Sequence, residues 1–441
     1  MKKILVFGAG LVAGPLVEYL LDRPDFHVVV ADMEPGRAAR LVSGHPGGEA
    51  MVLSIEDRAA VKAAIEKADL VISMLPYVFH PVVAAAAIDS GKSVVTASYA
   101  SPAMRELDGR AREKGVIVLN ELGLDPGIDH MEAMRIIHKV HGEGGRVLGF
   151  TSYCGGLPAP EANTNPFGYK FSWSPRGVLL ASKNSAKYLK DGKVVLIPVE
   201  KLFETPETLA FPGLGEFEGY PNRDSVSYGE TYGIPEARNV LRGTLRYPGW
   251  CRTLKKIGDL GLLDDASVKD WTGRTYRDFM AGLAEAPAGT DLKTAVAARL
   301  GLDAGSDIIG RLEWLGLFEA ERLPIKKGSA LDILAARMVE RLKYAEGERD
   351  MVILQHEFVA EDRTGRREKI ISTLIDFGIP GGDSSMSRTV GLTAAIGARF
   401  ILEGKIKGTG VHVPVTPDIY NPILDEHARL GIRFEETRQP L

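Results

Sequence analysis

The residues best suited to chemistry begin with a glycine-rich stretch near the start of this 441-residue sequence, Gly8-Ala9-Gly10-Leu11-Val12-Ala13. It matches the pattern G-x-G-x-x-G/A, in which Gly8 permits a tight turn and Gly10 lets a pyrophosphate approach the backbone. Ala13 lets a helix pack closely on a strand, and the first N–H groups of that helix can bind phosphate. The stretch therefore predicts a dinucleotide site.

Asp32 bears on which dinucleotide is bound. It lies eighteen residues beyond Gly14, close to the ~20 that is typical of an acidic residue that binds the ribose. Its carboxylate would accept hydrogen bonds from the ribose hydroxyls and repel a 2′-phosphate, which favours NAD over NADP. Arg37 and Arg40 follow closely, and we interpret them as exposed residues of the next helix.

Two arginines and one cysteine are further candidates for chemistry. Arg223 lies in Pro-Asn-Arg-Asp-Ser and Arg246 in Gly-Thr-Leu-Arg-Tyr-Pro-Gly, and a planar guanidinium suits a carboxylate. Cys154 could be a nucleophile, a proton donor or a buried structural thiol. No C-x-x-C, HExxH or G-x-S-x-G motif occurs, so we predict no metal and disfavour an α/β-hydrolase. These residues indicate an oxidoreductase that acts on an acidic metabolite.

Alternating strands and helices must position these residues. Ile4–Phe7 and Phe26–Ala31 read as buried strands, and the alternation continues to a strand at Val116–Leu119. Such a pattern predicts an α/β fold with a parallel sheet, which binds ligands at the carboxyl ends of its strands. Candidate strand ends are 75–77, 97–99 and 120–129. Asp129 is predicted to cap a helix that begins around 130–134.

The later part of the chain changes character. Residues 153–178 are rich in Gly, Pro and aromatic residues, which predicts a packed loop over a pocket. Helical spacing dominates from about 241 to 343, including 271–283 and 291–300. Two strands at 351–359 and 369–377 then predict a hairpin, and helices are predicted at 386–402 and 417–430.

Composition excludes several classes of protein. Hydrophobic residues make up 45% and charged residues 25%, the net charge is −4 and the pI is near 6.2, so nothing indicates a nucleic-acid or membrane partner. Two cysteines give no disulfide framework. Met-Lys-Lys and the apolar residues after it are similar to a signal peptide, but the glycine pattern explains that stretch better. We predict a cytoplasmic protein.

Four longer stretches resemble the saccharopine reductase family, the glutamate-forming saccharopine dehydrogenases. They are GLDPGIDH (123–130), YCGGLPAPEANTNPFGYKFSWSPRGVLLASKN (153–184), RGTLRYPGW (242–250) and VGLTAAIGARFILEG (390–404). The resemblance implies an NAD(P)-dependent oxidoreductase that acts on a CH–NH group in the α-aminoadipate route of lysine metabolism. It would interconvert saccharopine with L-glutamate and 2-aminoadipate 6-semialdehyde through an imine, by hydride transfer.

The resemblance also implies a domain plan and a homodimer. An N-terminal Rossmann domain would comprise 1–124 and 391–441, and an α+β substrate and dimerisation domain would comprise 125–240 and 344–390. Residues 241–343 would form a helical subdomain.

The resemblance further implies site residues. Cofactor contacts are expected at Gly8, Gly10, Leu11, Val12, Ala13, Ala31, Asp32, Ser54, Ile55, Leu75, Leu124, Asp125, Pro126, Gly127, Ile128, Asp129, His130 and Ser174. Substrate contacts are expected at Ser98, Tyr99, Asp125, Arg223, Thr244, Leu245 and Arg246. Asp125 would balance a cationic amine, and Tyr99 and Cys154 are candidate proton donors. The fungal members use NADP with a basic residue after the second strand, whereas Asp32 here favours NAD.

Two alternatives stay open. A carboxynorspermidine or homospermidine synthase-type enzyme would also reduce an imine, but its polyamine would need carboxylates where this chain has Arg223 and Arg246. A non-catalytic NAD sensor could keep residues 8–32 but would have little use for the 153–184 stretch. NAD binding without turnover of any imine-forming pair would favour the sensor.

Overall fold

A computed structural model of the protein describes residues 1–287 and 289–441. Its strands and helices form from short apolar runs separated by glycine turns. The strands are Lys2–Phe7 (β1), Phe26–Asp32 (β2), Gly48–Val52 (β3), Leu70–Ser73 (β4), Ser93–Thr96 (β5), Ile117–Leu119 (β6), Arg146–Pro158 (β7), Ala186–Lys190 (β8), Lys193–Ile197 (β9), Glu207–Phe211 (β10), Gly215–Pro221 (β11), Asn239–Arg246 (β12), Lys269–Asp270 (β13), Lys327–Gly328 (β14), Asp350–Glu361 (β15), Arg367–Phe377 (β16), Gly410–His412 (β17) and Glu435–Pro440 (β18).

The α-helices are interspersed with these strands. They are Gly14–Leu21 (α1), Pro35–Val42 (α2), Arg58–Glu66 (α3), His80–Asp89 (α4), Pro102–Arg105 (α5), Asp108–Glu113 (α6), Ile128–Gly142 (α7), Pro175–Ala181 (α8), Ser227–Thr231 (α9), Trp250–Asp259 (α10), Tyr276–Leu283 (α11), Leu292–Leu300 (α12), Asp307–Trp314 (α13), Ala330–Arg341 (α14), Ser385–Leu402 (α15) and Pro417–Arg429 (α16). No helix in the described ranges is long and apolar enough to cross a membrane.

The chain forms two compact units. The first contains Met1–Leu148, Thr231–Glu236 and Leu354–Leu441, and the second contains Gly149–Glu230 and Ala237–Ile353.

A parallel sheet is the centre of the first unit. Among the described residues it has seven strands, in the order β17-β6-β5-β4-β1-β2-β3, and every adjacent pair is parallel. The central strands β1 and β4 are apolar runs buried on both faces, because helices cover the sheet. The predicted α/β fold with a parallel sheet is confirmed. The strand β17 comes from late in the chain and extends the sheet beyond β6.

The helix after the glycine stretch begins at Gly14, and Leu11 lies before it with 64% of its surface exposed. One helix boundary in this unit differs from the sequence-based expectation. The helix near residue 130 begins at Ile128, with Gly127 at the N-cap position. Asp129 therefore does not cap this helix as predicted, because it already lies in the first turn.

The helix α15 packs against the start of the chain. A Cβ added at Gly391 would lie 2.5 Å from the backbone oxygen of Val12, so only glycine permits this close approach. Further along the same unit, β16 and β18 pair antiparallel.

The second unit contains strands of a mixed sheet and a helical cluster. The strands β10, β11 and β12 pair antiparallel, and β12 pairs parallel with residues 149–154 of β7. Residues 153–158 therefore belong to a strand, whereas the sequence predicted a loop. The helices from α10 to α14 bury a shared apolar core that includes Trp250, Phe279 and Leu334. The predicted helical segment 241–343 includes Ala288, which lies outside the described residues.

Candidate active site

The glycine stretch forms a tight turn between β1 and α1. Gly8 has φ +98°, and a Cβ there would meet the backbone oxygen of Met74 at 2.9 Å. A Cβ at Gly10 would meet nothing within 4 Å, so this position is open on the side where a ligand can approach. Ala13 is fully buried, and α1 has no side-chain cap on its first N–H groups. This arrangement fits the pyrophosphate of a dinucleotide.

Asp32 lies at the end of β2 and faces the glycine turn. Its Oδ2 accepts a 2.7 Å hydrogen bond from the backbone N–H of Ala9, and its Oδ1 accepts one of 2.8 Å from Glu34 N–H. The two bonds fix the orientation of the carboxylate, and each oxygen keeps a lone pair for another donor. The position and the chemistry of this group fit the ribose hydroxyls of a dinucleotide.

Other predicted cofactor contacts also lie at the carboxyl edge of the parallel sheet. Ala31 is buried near the end of β2, and Ser54 and Ile55 follow β3. The Oγ of Ser54 accepts a 3.3 Å hydrogen bond from Glu56 N–H. Leu75 follows β4 and is half-buried. These residues share the edge at which parallel sheets bind ligands.

A tight turn at residues 123–129 precedes α7. Gly127 has φ +149°, and a Cβ there would lie 2.1 Å from Gly123 O, so the turn requires glycine. The carboxylate of Asp129 accepts a 2.6 Å hydrogen bond from Gly127 N–H. Leu124, Pro126 and Ile128 are buried in this turn, whereas Asp125 is half-buried and contacts Tyr99. The turn therefore presents the carboxylate of Asp125.

Two predicted substrate residues follow β5. The hydroxyl of Tyr99 donates a 2.9 Å hydrogen bond to Oδ1 of Asp125. The hydroxyl of Ser98 lies 2.8 Å from Nε2 of His80, whose Nδ1 lies 2.8 Å from Ser73 Oγ. Burial lowers the pKa of His80 to about 4, so the ring is neutral near pH 7 and orients the Ser98 hydroxyl without adding charge.

The buried carboxylate of Glu121 and the buried imidazole of His130 lie beside Ser98 and Tyr99. Oε2 of Glu121 is 2.6 Å from Nε2 of His130, and Nδ1 of His130 is 2.8 Å from the hydroxyl of Tyr232. All three residues are at most 5% exposed. Burial works to raise the pKa of Glu121, but the contact with His130 outweighs it and lowers that pKa, so the carboxylate is ionised.

Arg246 is the central residue of the candidate site in the second unit. It ends β12, is 6% exposed, and its guanidinium carbon lies 4.9 Å from the ring centre of Tyr169 and 5.5 Å from that of Trp250. Its Nη1 donates to Leu245 O at 2.7 Å, and its buried Nε has no hydrogen-bond partner in the described part of the chain. A buried guanidinium with an unsatisfied donor suits an anionic ligand.

The other predicted residues near Arg246 in the chain or in the sheet lie on β12 and on its neighbour β7. Cys154 is buried on β7, paired in register with Thr244, and it interacts electrostatically with Arg246. The side chain of Leu245 is fully buried, so only its backbone can contact a ligand. Burial and, to a smaller extent, the neighbouring Glu218 raise the pKa of the Cys251 thiol, which keeps the thiol protonated.

Arg223 and Ser174 lie apart from Arg246 in the second unit. Arg223 is exposed with φ +53° just beyond β11, where Asn222 N–H donates to Arg242 O. The antiparallel register pairs Arg246 with Glu218 in the middle of β11, whereas Arg223 lies five residues further along the chain, beyond the end of that strand. Ser174 caps α8, with its Oγ accepting from Gly177 N–H at 3.2 Å.

Sequence reasoning missed several residues near these positions. His80, Glu121 and Tyr232 carried no motif, although Glu121 directly follows a strand end that was already a candidate. Arg242 shares a motif with Arg246, and it is buried with its Nη1 donating to the hydroxyl of Tyr228 at 2.6 Å. In the residues the structure describes, no group of three or more His, Cys, Asp or Glu could hold a metal ion.

Comparison with known proteins decides the family. Residues 4–119 match the model of the saccharopine dehydrogenase NADP binding domain, and residues 123–432 match that of the saccharopine dehydrogenase C-terminal domain. The chain belongs to the saccharopine dehydrogenase family. The predicted recognition is thus confirmed.

Similar members of the saccharopine dehydrogenase family span the whole chain. Saccharopine dehydrogenase [NADP(+), L-glutamate-forming] of Schizosaccharomyces pombe is 42% identical, with 99% of both chains covered. Alpha-aminoadipic semialdehyde synthase of Rattus norvegicus, a mitochondrial protein, is 39% identical over 98% of this chain and 47% of its own length. The apo structure of histidine-tagged saccharopine dehydrogenase (L-Glu forming) from Saccharomyces cerevisiae is 41% identical, with a TM-score of 0.89 and full coverage of both chains.

The family match supports the nicotinamide dinucleotide site predicted from Gly8–Ala13. NADP appears in the description of the matched domain and in the name of the S. pombe relative, whereas Asp32 favours NAD. The choice between the two dinucleotides stays a prediction.

Proposed function

We propose that this chain is an L-glutamate-forming saccharopine dehydrogenase of lysine metabolism. It would interconvert saccharopine and a nicotinamide dinucleotide with L-glutamate, 2-aminoadipate 6-semialdehyde and the reduced dinucleotide. The observation that carries the proposal is the buried guanidinium of Arg246, stacked on Tyr169 and Trp250 with an unsatisfied Nε, which suits a carboxylate substrate. Full-length identity of 42% to the S. pombe enzyme supports the same conclusion.

The hydride step makes modest demands on the protein. When bound, the dinucleotide would supply a hydride acceptor: a hydride would leave the methylene carbon on the aminoadipate side of the secondary amine, and loss of the N–H proton would leave an imine. Water then adds to the imine, and the C–N bond breaks to release glutamate and the semialdehyde. The residues of this chain have to hold both reactants, exclude stray water and move protons.

Arg246 and Arg223 would bind different carboxylates. Arg223 lies five residues along the chain from Glu218, the register partner of Arg246, and saccharopine carries three carboxylates spread along its length. We therefore assign one carboxylate to Arg246 with Thr244 and the backbone of Leu245, and another to Arg223. A polyamine substrate lacks these groups, which disfavours the polyamine-type alternative.

Tyr99 and Asp125 would act on the nitrogen of the substrate. The carboxylate of Asp125 would balance the charge of the cationic amine. Tyr99, whose hydroxyl donates to that carboxylate, would exchange a proton with the substrate. Ser98, oriented by His80, would contact a polar group of the substrate. Cys154 is a second candidate proton donor, buried near Arg246.

The dinucleotide would bind along the carboxyl edge of the parallel sheet. Residues 8–13 and the start of α1 would hold the pyrophosphate, and Asp32 would bind the adenosine ribose. The remaining contacts are assigned to Ala31, Ser54, Ile55, Leu75, Leu124, Asp125, Pro126, Gly127, Ile128, Asp129, His130 and Ser174. The carboxylate of Asp32 would repel a 2′-phosphate, so we propose NAD as the preferred cofactor although the S. pombe relative is named for NADP(+).

A cytoplasmic homodimer belongs to the same proposal. The assembly rests on the family resemblance, and the location rests on composition and cysteine content. Light scattering, measured as the protein elutes from a gel-filtration column, would report the mass of the assembly directly.

The decisive experiment follows the absorbance of reduced nicotinamide with saccharopine, with NAD and NADP supplied separately. Rapid reduction of NAD with release of glutamate would support both the reaction and the preference. Turnover with NADP alone would keep the reaction and overturn the preference. No turnover with either cofactor would overturn the proposed function.

A further inference from the structure

Two side-chain hydrogen bonds join the segment after β5 to the segment after β6 in the first unit, alongside backbone bonds from Glu121 N–H to Ser98 O and from Leu122 N–H to Thr96 O. One is the bond from Tyr99 to Asp125, which belongs to the proposed active site. The other starts at the next residue, because the backbone N–H of Ala100 donates to Oε1 of Glu121 at 2.9 Å. The second oxygen of that carboxylate lies 2.6 Å from Nε2 of His130.

These links close a ring. His130 lies in the first turn of α7, directly after the turn that presents Asp125, and Ala100 is covalently bonded to Tyr99. Starting at Tyr99, the ring therefore runs through Asp125 and the start of α7 to His130, then through Glu121 and Ala100 back to Tyr99. Glu121 is thereby connected to both members of the Tyr99–Asp125 pair.

The backbone of Glu121 itself indicates a constrained role. It has φ +62°, a left-handed conformation that a residue with a Cβ seldom adopts, and it is 5% exposed. Such conformations persist where the surrounding structure determines them, and they cluster at functional sites.

The chemistry of the groups fixes the direction of the bonds. An ionised carboxylate can only accept, so Nε2 of His130 carries a proton and donates to Glu121. The other ring nitrogen, Nδ1, lies 2.8 Å from the hydroxyl of Tyr232. Tyr232 thereby holds the ring from its other side.

We infer that Glu121, through His130 and Tyr232, is a positioning residue that sets the geometry of the Tyr99–Asp125 pair. None of these three residues has to touch the reacting atoms for this role. The kinetic part of the inference rests on the proposed function, whereas the structural part does not.

Two variants test it. Glu121→Gln keeps an oxygen for Ala100 N–H but removes the charge. Its amide N–H would have to donate to Nε2 of His130, so Nε2 could no longer carry the proton. Tyr232→Phe removes the bond to Nδ1 and leaves the carboxylate in place. Each variant is expected to lower kcat with saccharopine by about tenfold and to change the KM for saccharopine much less, because the arginines assigned to its carboxylates are untouched.

The same helix offers a matched control. Nδ1 of His138 lies 2.7 Å from the hydroxyl of Tyr420, a His–Tyr contact of the same kind that lies outside the ring. Tyr420→Phe is therefore expected to leave kcat unchanged. If Tyr420→Phe lowers kcat as much as Tyr232→Phe does, or if Glu121→Gln leaves kcat unchanged, the inference is wrong.

Hydrogen exchange separates this inference from the proposed function. The Ala100 amide should exchange at least about fivefold faster in Glu121→Gln and Tyr232→Phe than in the wild type, and no faster in Tyr420→Phe. This readout needs no turnover, so a wild-type protein inactive on saccharopine would overturn the proposed function alone. Unchanged exchange at Ala100 in both variants would overturn the positioning role alone.

Discussion

Tyr99 donates a 2.9 Å hydrogen bond to Asp125, and this contact joins the ends of two neighbouring strands of the parallel sheet. Under the proposed function, this phenol and this carboxylate would share the task of holding and moving a proton. Neither residue is expected to act alone.

The first prediction concerns that pair. Tyr99→Phe and Asp125→Asn should each lower kcat with saccharopine by about 10- to 100-fold, because each breaks the same proton-handling unit. The double variant should lose little more than either single variant. Steady-state kinetics on the four proteins would measure this coupling, and additive losses would show that the two residues act independently.

The second prediction concerns the choice of dinucleotide. Asp32→Asn keeps an oxygen that can accept from Ala9 N–H but removes the negative charge. The ratio of kcat/KM for NADP to that for NAD should rise about tenfold, because repulsion of the 2′-phosphate is relieved. An unchanged ratio would mean that Asp32 does not face the adenosine ribose.

The third prediction contrasts two glycines of one turn. Gly10→Ala should leave the melting temperature nearly unchanged, because the new methyl group meets no protein atom, and should weaken dinucleotide binding about tenfold or more. Gly8→Ala should destabilise the protein by about 2 kcal/mol or more, because Gly8 has φ +98° and lies against Met74. Thermal unfolding and fluorescence titration with the reduced dinucleotide would measure the two effects. Unweakened binding in Gly10→Ala would place the pyrophosphate elsewhere.

The fourth prediction concerns the anchor for a carboxylate. Arg246→Lys keeps a positive charge but loses the planar group that stacks on Tyr169 and Trp250. The KM for saccharopine should rise about 10- to 100-fold while the Kd for the dinucleotide stays constant. Arg252→Lys, at an exposed arginine of the same unit, is the matched control. An unchanged KM in Arg246→Lys would remove Arg246 from the substrate site.

The fifth prediction concerns acid stability. The pKa of buried His80 is about 4, below the ordinary value of 6.5, so the unfolded chain binds a proton that the folded protein excludes. Stability should therefore fall as the pH drops from about 6.5 to about 4, by on the order of 3 kcal/mol from this residue. Unfolding of His80→Gln, measured across that range, should show a smaller decline than the wild type. Equal declines would show that His80 is protonated in the folded state.

The sequence predicted the parallel sheet well because its signal is local. The apolar runs at β1, β2 and β5 are bounded by glycines and polar residues, and each forms a strand at nearly the expected residues. Boundaries failed where backbone geometry decided them, as at Asp129, since the sharp turn at Gly127 starts α7 earlier than the polar side chain suggested.

The site could be predicted only in part, for a physical reason. Arg246 and its aromatic neighbour Trp250 lie in one distinctive motif, but the other aromatic neighbour, Tyr169, is far from both in the sequence. Glu121 and Tyr232 are connected through one imidazole across more than a hundred residues, and no local pattern encodes such a contact. Long-range pairing of single polar side chains is visible only in the fold.

The strand β17 has a consequence for how the protein is made. The parallel sheet needs Gly410–His412 to cover β6, and α1 needs α15, which begins at Ser385, to cover it. During translation the earlier strands thus leave the ribosome long before these partners do. The nascent chain therefore carries an open sheet edge at β6 until residues 410–412 emerge, and an unpaired edge strand is prone to aggregate.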